Sequence, residues 1–110
     1  MTVTREPAVA GMFYPEDAGT LRNSINSYLG GVDFKPGPMP KALIAPHAGY
    51  MYSGAVAASA YARLHPYRDI YKRVVLLGPC HRVAARGVAL SGADVFSTPL
   101  GDVPLDKELT

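Results

Sequence analysis

The sequence lacks the features that mark several common protein classes. It contains a single cysteine, Cys80, so no internal disulfide can form. Its longest apolar runs are about five residues, against the roughly 20 that a membrane-spanning helix requires. Lysine and arginine are scattered, which argues against a nucleic-acid partner because phosphate binding needs a clustered basic face. Residues 1–11 lack the apolar core of a signal peptide. Together these absences predict a cytoplasmic protein with no membrane or nucleic-acid partner.

The residues that are present are typical of a folded domain. Hydrophobic residues make up 48% of the 110 residues and charged residues 18%, a balance that indicates a globular chain and not a disordered one. A chain of this length can bury roughly 65% of the surface that it exposes when unfolded. We therefore expect one domain at most, with a real core.

Two stretches predict a buried β-strand that ends in a corner with a proline and a histidine. Residues 42–45 form an apolar run within a strand predicted over 41–45, and a proline stops the run just before His47. Residues 74–77 form a second apolar run within a strand predicted over 73–77, followed by Gly-Pro-Cys and then His81. A helix predicted over 53–64 lies between the runs and implies a right-handed crossover with parallel strands. Ligands bind outside the carboxyl ends of such strands, so both histidines fall where chemistry is expected.

Other elements are predicted from capping and spacing. Asp17 caps a helix over 18–29, in which apolar residues recur at helical spacing, and Gly30-Gly31 provide a left-handed stop. A proline- and glycine-rich connector follows over 31–40. Downstream, the sequence predicts weaker strands over 87–91 and 95–97, a turn over 98–101, and the first turn of a helix over 107–110 capped by Asp106.

These elements predict an α/β fold with a partial parallel sheet. The helix over 53–64 is expected to bury one face, marked by Val56, Ala60 and Leu64. Two or three parallel strands with one crossover helix leave a sheet edge unpaired and a face uncovered, whereas parallel sheets are normally covered on both faces. We therefore expect a sandwich that is apparently truncated.

His47 and His81 are candidate metal ligands, since neutral imidazole is the commonest metal-binding side chain and suits iron, copper and zinc. The alternative is that each histidine caps its strand corner through hydrogen bonds. His65, at a helix end, is expected to contact the last helix carbonyls or water. A third ligand would be needed, and the available downstream acids, which we favour as solvated charges or caps, are Asp94, Asp102 and Asp106.

Cys80 and two tyrosines could also take part in chemistry. Neighbouring side chains in an extended chain point to opposite faces, so Cys80 is not expected to pair with His81. His47 could approach Cys80 across the corners to form a Cys-His nucleophile or a thiolate ligand, although we favour a small residue buried under the turn. Tyr50 and Tyr52 could orient a substrate or metal ligands through their hydroxyls, or their rings could simply pack.

Four motifs in order, AGMFYP, PHAGYMYSG, GPCH and STPLG, resemble the Memo-like family, whose bacterial and archaeal members are called AmmeMemoRadiSam system protein B. The resemblance covers essentially the whole chain. It implies an α/β fold similar to that of class III extradiol dioxygenases, which use non-haem iron. Family domains are well over twice this length, so residues 1–110 would be the N-terminal part of a single Memo-like domain.

The resemblance also implies roles for particular residues. His47 and His81 match two histidines of the family's pocket, which would make them ligands of iron or copper. Tyr52 matches a pocket tyrosine and Phe13 a pocket aromatic, so that these two, with Tyr50, would contact the substrate. The family's third metal ligand is a cysteine from the C-terminal half, which lies beyond these 110 residues.

The resemblance implies partner proteins, and three hypotheses for the function stay open. Prokaryotic family members travel with a radical SAM protein and an AMMECR1-like protein, which are the expected partners. One hypothesis for the function is a metal-dependent, dioxygenase-like oxidoreductase with an unknown substrate. Another is a non-catalytic module that binds a peptide or an anion. A third is that these 110 residues form an inactive fragment.

Overall fold

A computed structural model describes residues 1–108 of the chain. Its elements are β1 (Thr4–Arg5), α1 (Ala18–Gly30), α2 (Tyr50–Tyr61), a 3-10 helix (Ala62–Tyr67), β2 (Val95–Thr98) and β3 (Gly101–Pro104). The central strand of the three-stranded sheet is β2, which runs parallel to β1 and antiparallel to β3. The predicted α/β class is confirmed, with a mixed sheet and two α-helices. The similarity to extradiol dioxygenases stays a prediction.

Helix α1 forms where the sequence predicts it. The side chain of Asp17 accepts hydrogen bonds from the backbone N–H and the hydroxyl of Thr20, at 2.9 and 3.0 Å. These bonds favour the charged carboxylate, and so they hold the pKa of Asp17 below its usual value. Leu21 is the buried residue of the helix. The predicted left-handed stop is wrong, because Gly31 has a φ of −83° in the right-handed region.

Helix α2 begins at Tyr50, earlier than predicted, and it buries a different face. Ser53 and Ala58 are buried, whereas Val56, which was expected on the buried face, is 62% exposed. The small residues allow a close approach to α1. A Cβ atom placed on Gly54 would lie 2.9 Å from the ring of Tyr28, so only glycine fits this crossing without movement of α1.

The two apolar runs predicted as core strands lie outside the sheet. Residues 41–45 and 73–77 are in no strand. Ile44 is 99% exposed, and residues 74–77 are between 72% and 81% exposed. The predicted parallel crossover is therefore wrong, and the parallel pairing in the sheet joins β1 to β2 instead.

Some of the elements predicted over residues 87–110 are confirmed and one is wrong. The strand over 95–97 is confirmed as β2, and the turn over 98–101 is confirmed as the β2–β3 hairpin. The strand over 87–91 is wrong. Asp106 accepts a hydrogen bond from the Glu108 N–H at 3.1 Å, as a cap would, but the predicted helical turn over 107–110 extends outside the described residues.

Neither α-helix in residues 1–108 has the length and apolar character needed to cross a membrane.

The crossing of α1 and α2 predicts the effect of a methyl group at Gly54. Gly54→Ala should lower the free energy of unfolding by about 1–3 kcal/mol through overpacking against Tyr28, partly offset by about 1 kcal/mol of helix propensity. Gly30→Ala is the matched control, because a Cβ there would meet open space and the change should be neutral or stabilising. Equal urea-unfolding midpoints for the two variants would contradict the close crossing.

The exposed apolar run 74–77 predicts self-association, because large exposed apolar patches tend to bind one another. Leu77→Lys should lower the apparent mass measured by light scattering over a concentration series. Asn26→Lys places the same charge on the exposed surface of α1 and should leave the apparent mass unchanged. Equal effects of the two substitutions would show that net charge, and not the apolar run, governs association.

Candidate functional site

The corner before α2 is fixed by hydrogen bonds to backbone carbonyls. The Tyr50 N–H donates to the carbonyl of Phe13 at 2.8 Å, which ties the start of α2 to the N-terminal turn. The Ser53 hydroxyl donates to the carbonyl of Ala48 at 3.0 Å. Because these bonds hold the residues that follow His47, they fix the place from which its imidazole projects.

His47 and His81 lie against each other, although 34 positions separate them in the sequence. Their Nε2 atoms are 3.1 Å apart, and their ring centroids are 5.3 Å apart with 53° between the ring planes. In a pair of neutral rings, one Nε2–H donates to the lone pair of the other. Both residues are exposed, so the pair is accessible from solvent.

The Nε2–Nε2 separation of 3.1 Å fits two ligands of one ion. With metal–nitrogen bonds of about 2.0–2.1 Å, it corresponds to a ligand–metal–ligand angle of about 95–100°, between octahedral and tetrahedral values. Within residues 1–108, no group of three or more His, Cys, Asp or Glu side chains is arranged to hold a metal ion. The described residues therefore bring two imidazoles together, with no third candidate protein ligand beside them.

The other candidate ligands lie elsewhere. Asp94 accepts a hydrogen bond from the Val3 N–H at 2.7 Å, and Asp106 forms an ion pair with Arg73 at 3.0 Å. Both carboxylates therefore contact other parts of the chain, and Asp106 also acts as the predicted cap. Cys80 is exposed, so the expectation that it is buried under its turn is wrong.

A cavity of about 410 Å³ lies between α1, α2 and the N-terminal turn, and His47 forms part of its wall. Two of the three residues proposed to contact a substrate, Phe13 and Tyr50, line it. Tyr52 lies outside this lining and is 83% exposed. Three further tyrosines of the wall were not among the predicted site residues, since no local pattern shows which helix faces meet: Tyr14, Tyr28 and Tyr61.

Tyr50 is the centre of the aromatic part of this wall. Its ring centroid lies 5.7 Å from that of Tyr14 and 6.1 Å from that of Tyr28, the latter in an edge-to-face arrangement. Burial raises the pKa of the Tyr50 phenol above its usual value, and the nearby phenols of Tyr14 and Tyr61 raise it further. The surroundings of Tyr50 therefore favour a neutral group over a negative one.

The raised pKa of Tyr50 predicts a late step in the ionisation of the seven tyrosines. The folded state keeps this proton above the unfolded pKa of about 10, so the free energy of unfolding should fall as the pH rises from about 10 through the folded pKa. An alkaline titration followed by phenolate absorbance should show the late step, and Tyr50→Phe should remove it. Tyr52→Phe also removes one tyrosine, but it should leave the late step in place. Superimposable titrations of the two variants would contradict the assignment.

Comparisons with known proteins show which family the chain resembles. A family model described as "Memo-like protein" matches residues 5–110. The chain is 44% identical over 105 residues to a "MEMO1 family protein" of Aquifex aeolicus, covering 96% of this chain and 38% of the relative. It is 46% identical over 105 residues to a "MEMO1 family protein" of Methanococcoides burtonii, with the same coverage of 96% and 38%.

A vertebrate protein is similar over nearly the same part of the chain. "Protein MEMO1" of Danio rerio is 41% identical over 107 residues, which cover 97% of this chain and 35% of the relative. The chain thus spans between 35% and 38% of the length of these curated relatives.

Proposed function

This chain belongs to the Memo-like family, and we propose that His47 and His81 are two ligands of a non-haem iron or copper centre with dioxygenase-like oxidoreductase activity. The observation that carries the proposal is the 3.1 Å separation of the two Nε2 atoms. Two residues from corners far apart in the sequence meet at the separation that two ligands of one ion require, and both are accessible.

The chemistry of the donors supports the proposal. Imidazole suits iron and copper, and two histidines with open positions are typical of non-haem iron oxygenases when a further protein ligand completes the set. Such a centre supplies oxygen activation with iron, or a change of oxidation state with copper. Within residues 1–108 no third protein ligand joins the pair, so the other positions would be filled by water, substrate or donors outside these residues.

The residues of the chain would have defined tasks. Binding through both Nε2 atoms requires both rings to carry their proton on Nδ1, so the ring that donates in the present pair must change its tautomer. Phe13 and Tyr50 would face the substrate in the cavity that His47 borders. The radical SAM and AMMECR1-like partners implied by the resemblance stay a prediction, as does the cytoplasmic location.

Metal uptake tests the ligand assignment. His47→Ala and His81→Ala should each weaken binding of Fe²⁺ or Cu²⁺ by more than about tenfold, because even the partners of metal ligands typically contribute 10–100-fold. Metal retained after gel filtration, measured by elemental analysis, gives the readout. His65→Ala removes an exposed histidine of the 3-10 helix and should leave the metal content unchanged. The same metal content in all three variants would overturn the assignment.

A further inference from the structure

The cavity beside His47 has a wall without formal charge. None of its lining residues is an aspartate, glutamate, lysine or arginine. Its volume of about 410 Å³ falls in the range of about 300–1,000 Å³ that is usual for small-molecule sites. In the metal-free chain, an anion placed in it would lose water and find no lysine or arginine side chain in exchange, which is costly.

The aliphatic and aromatic side chains of the wall offer flat and apolar surfaces. Ile25 and Leu29 of α1 and Ala57 and Ala58 of α2 line the cavity. The Tyr50 ring stands at the side, in contact with Tyr14 and Tyr28. Aromatic pairs prefer offset or edge-to-face arrangements, and an inserted flat ring could take up either against this wall.

The polar groups of the wall are few and neutral. The Tyr28 hydroxyl donates to the Tyr50 carbonyl at 3.0 Å, and the Ser53 hydroxyl donates to the Ala48 carbonyl at 3.0 Å. These two hydroxyls are therefore engaged. The His47 Nε2 is paired with His81, so the remaining polar side-chain groups are phenols and the His47 Nδ1, which suit a single neutral hydrogen-bonding group on a ligand.

We propose that this cavity, in the metal-free chain, binds an uncharged, largely apolar ligand with a flat ring, and that without a metal it discriminates against carboxylate and phosphate anions. The proposal rests on the proposed function in placing that ligand beside His47, and it names the ligand class of the same site. The sequence left open whether a binding module would take a peptide or an anion, and the proposal disfavours the anion. The raised pKa of Tyr50 agrees with it, since the wall penalises negative charge there as well.

A matched pair of probes tests the proposal: 2-naphthamide, which is neutral, and 2-naphthoate, which has the same ring and carries a negative charge. Titrations of the full chain with a chelator present, followed by probe fluorescence, should show 2-naphthamide binding at least about tenfold more tightly, a difference of about 1.4 kcal/mol. Equal affinities, or tighter binding of 2-naphthoate, would overturn the proposal.

Two substitutions in α2 locate the binding. Ala57→Phe fills the cavity that Ala57 lines. It should weaken 2-naphthamide binding at least about tenfold, which is about 1.4 kcal/mol of binding free energy. Ala55→Phe makes the identical change at an exposed position of the helix, outside the lining, and should leave binding unchanged. Equal binding by the two variants would show that the probe sits on another apolar surface, such as residues 74–77.

A measurement on the unsubstituted chain tests the proposal even where Ala57→Phe does not fold. Nuclear Overhauser effects between 2-naphthamide and the ring protons of Tyr50 are expected, and their absence under saturating probe would overturn the proposal. His81→Ala separates this proposal from the metal site, because His81 is not part of the lining. That variant should lose metal and keep 2-naphthamide, whereas Ala57→Phe should do the reverse.

Discussion

The hydrogen bond from the Tyr50 N–H to the Phe13 carbonyl is the constraint on which the site depends. The first N–H groups of a helix have no acceptor within the helix, and the N-cap of α2, Gly49, has no side chain to offer one. A carbonyl of the N-terminal turn takes that role. This turn is itself closed by a bond of 2.7 Å from the Gly11 N–H to the Tyr14 carbonyl. The single acceptor at Phe13 therefore brings the turn, α2 and the residues after His47 to one place.

The features that were predictable from the sequence are those with local causes. Asp17 and the helical spacing after it define α1, because both the cap and the period act within a few residues. The corners at His47 and His81 were predicted to converge on the assumption that parallel strands carry them. The two rings do meet, yet no strands carry them, so the expected meeting of the rings came from a wrong intermediate step. The cavity could not be predicted, because Tyr28 reaches the Tyr50 carbonyl only through the packing of α1 on α2.

The two apolar runs show why burial cannot be inferred from a run of residues alone. A buried strand needs a ladder partner on each side and a covering layer on each face. In the described residues, both edges of β2 are taken by β1 and β3, and the runs at 41–45 and 73–77 do not pair with each other. Apolar character makes burial favourable, but it does not supply the surface against which the run is buried. The same logic explains Val56, whose exposed position follows from α1 packing on the small residues of α2.

The weakest part of this arrangement is the segment that carries His81. Residues 72–92 are exposed throughout and belong to no helix or strand, and a single hydrogen bond such as the one between the histidines contributes only about 0.5–1.5 kcal/mol. A ligand that binds only the paired arrangement stabilises it by an amount that reaches about 2.7 kcal/mol at 100 times the dissociation constant. A ligand that binds both rings would thus stabilise the position of this segment more than the hydrogen bond between the rings does. Metal affinity at His47 and His81 would therefore report the ordering of residues 72–92 as much as the basicity of two imidazoles. The cavity beside His47, built from α1, α2 and the N-terminal turn, has no lining residue in that segment.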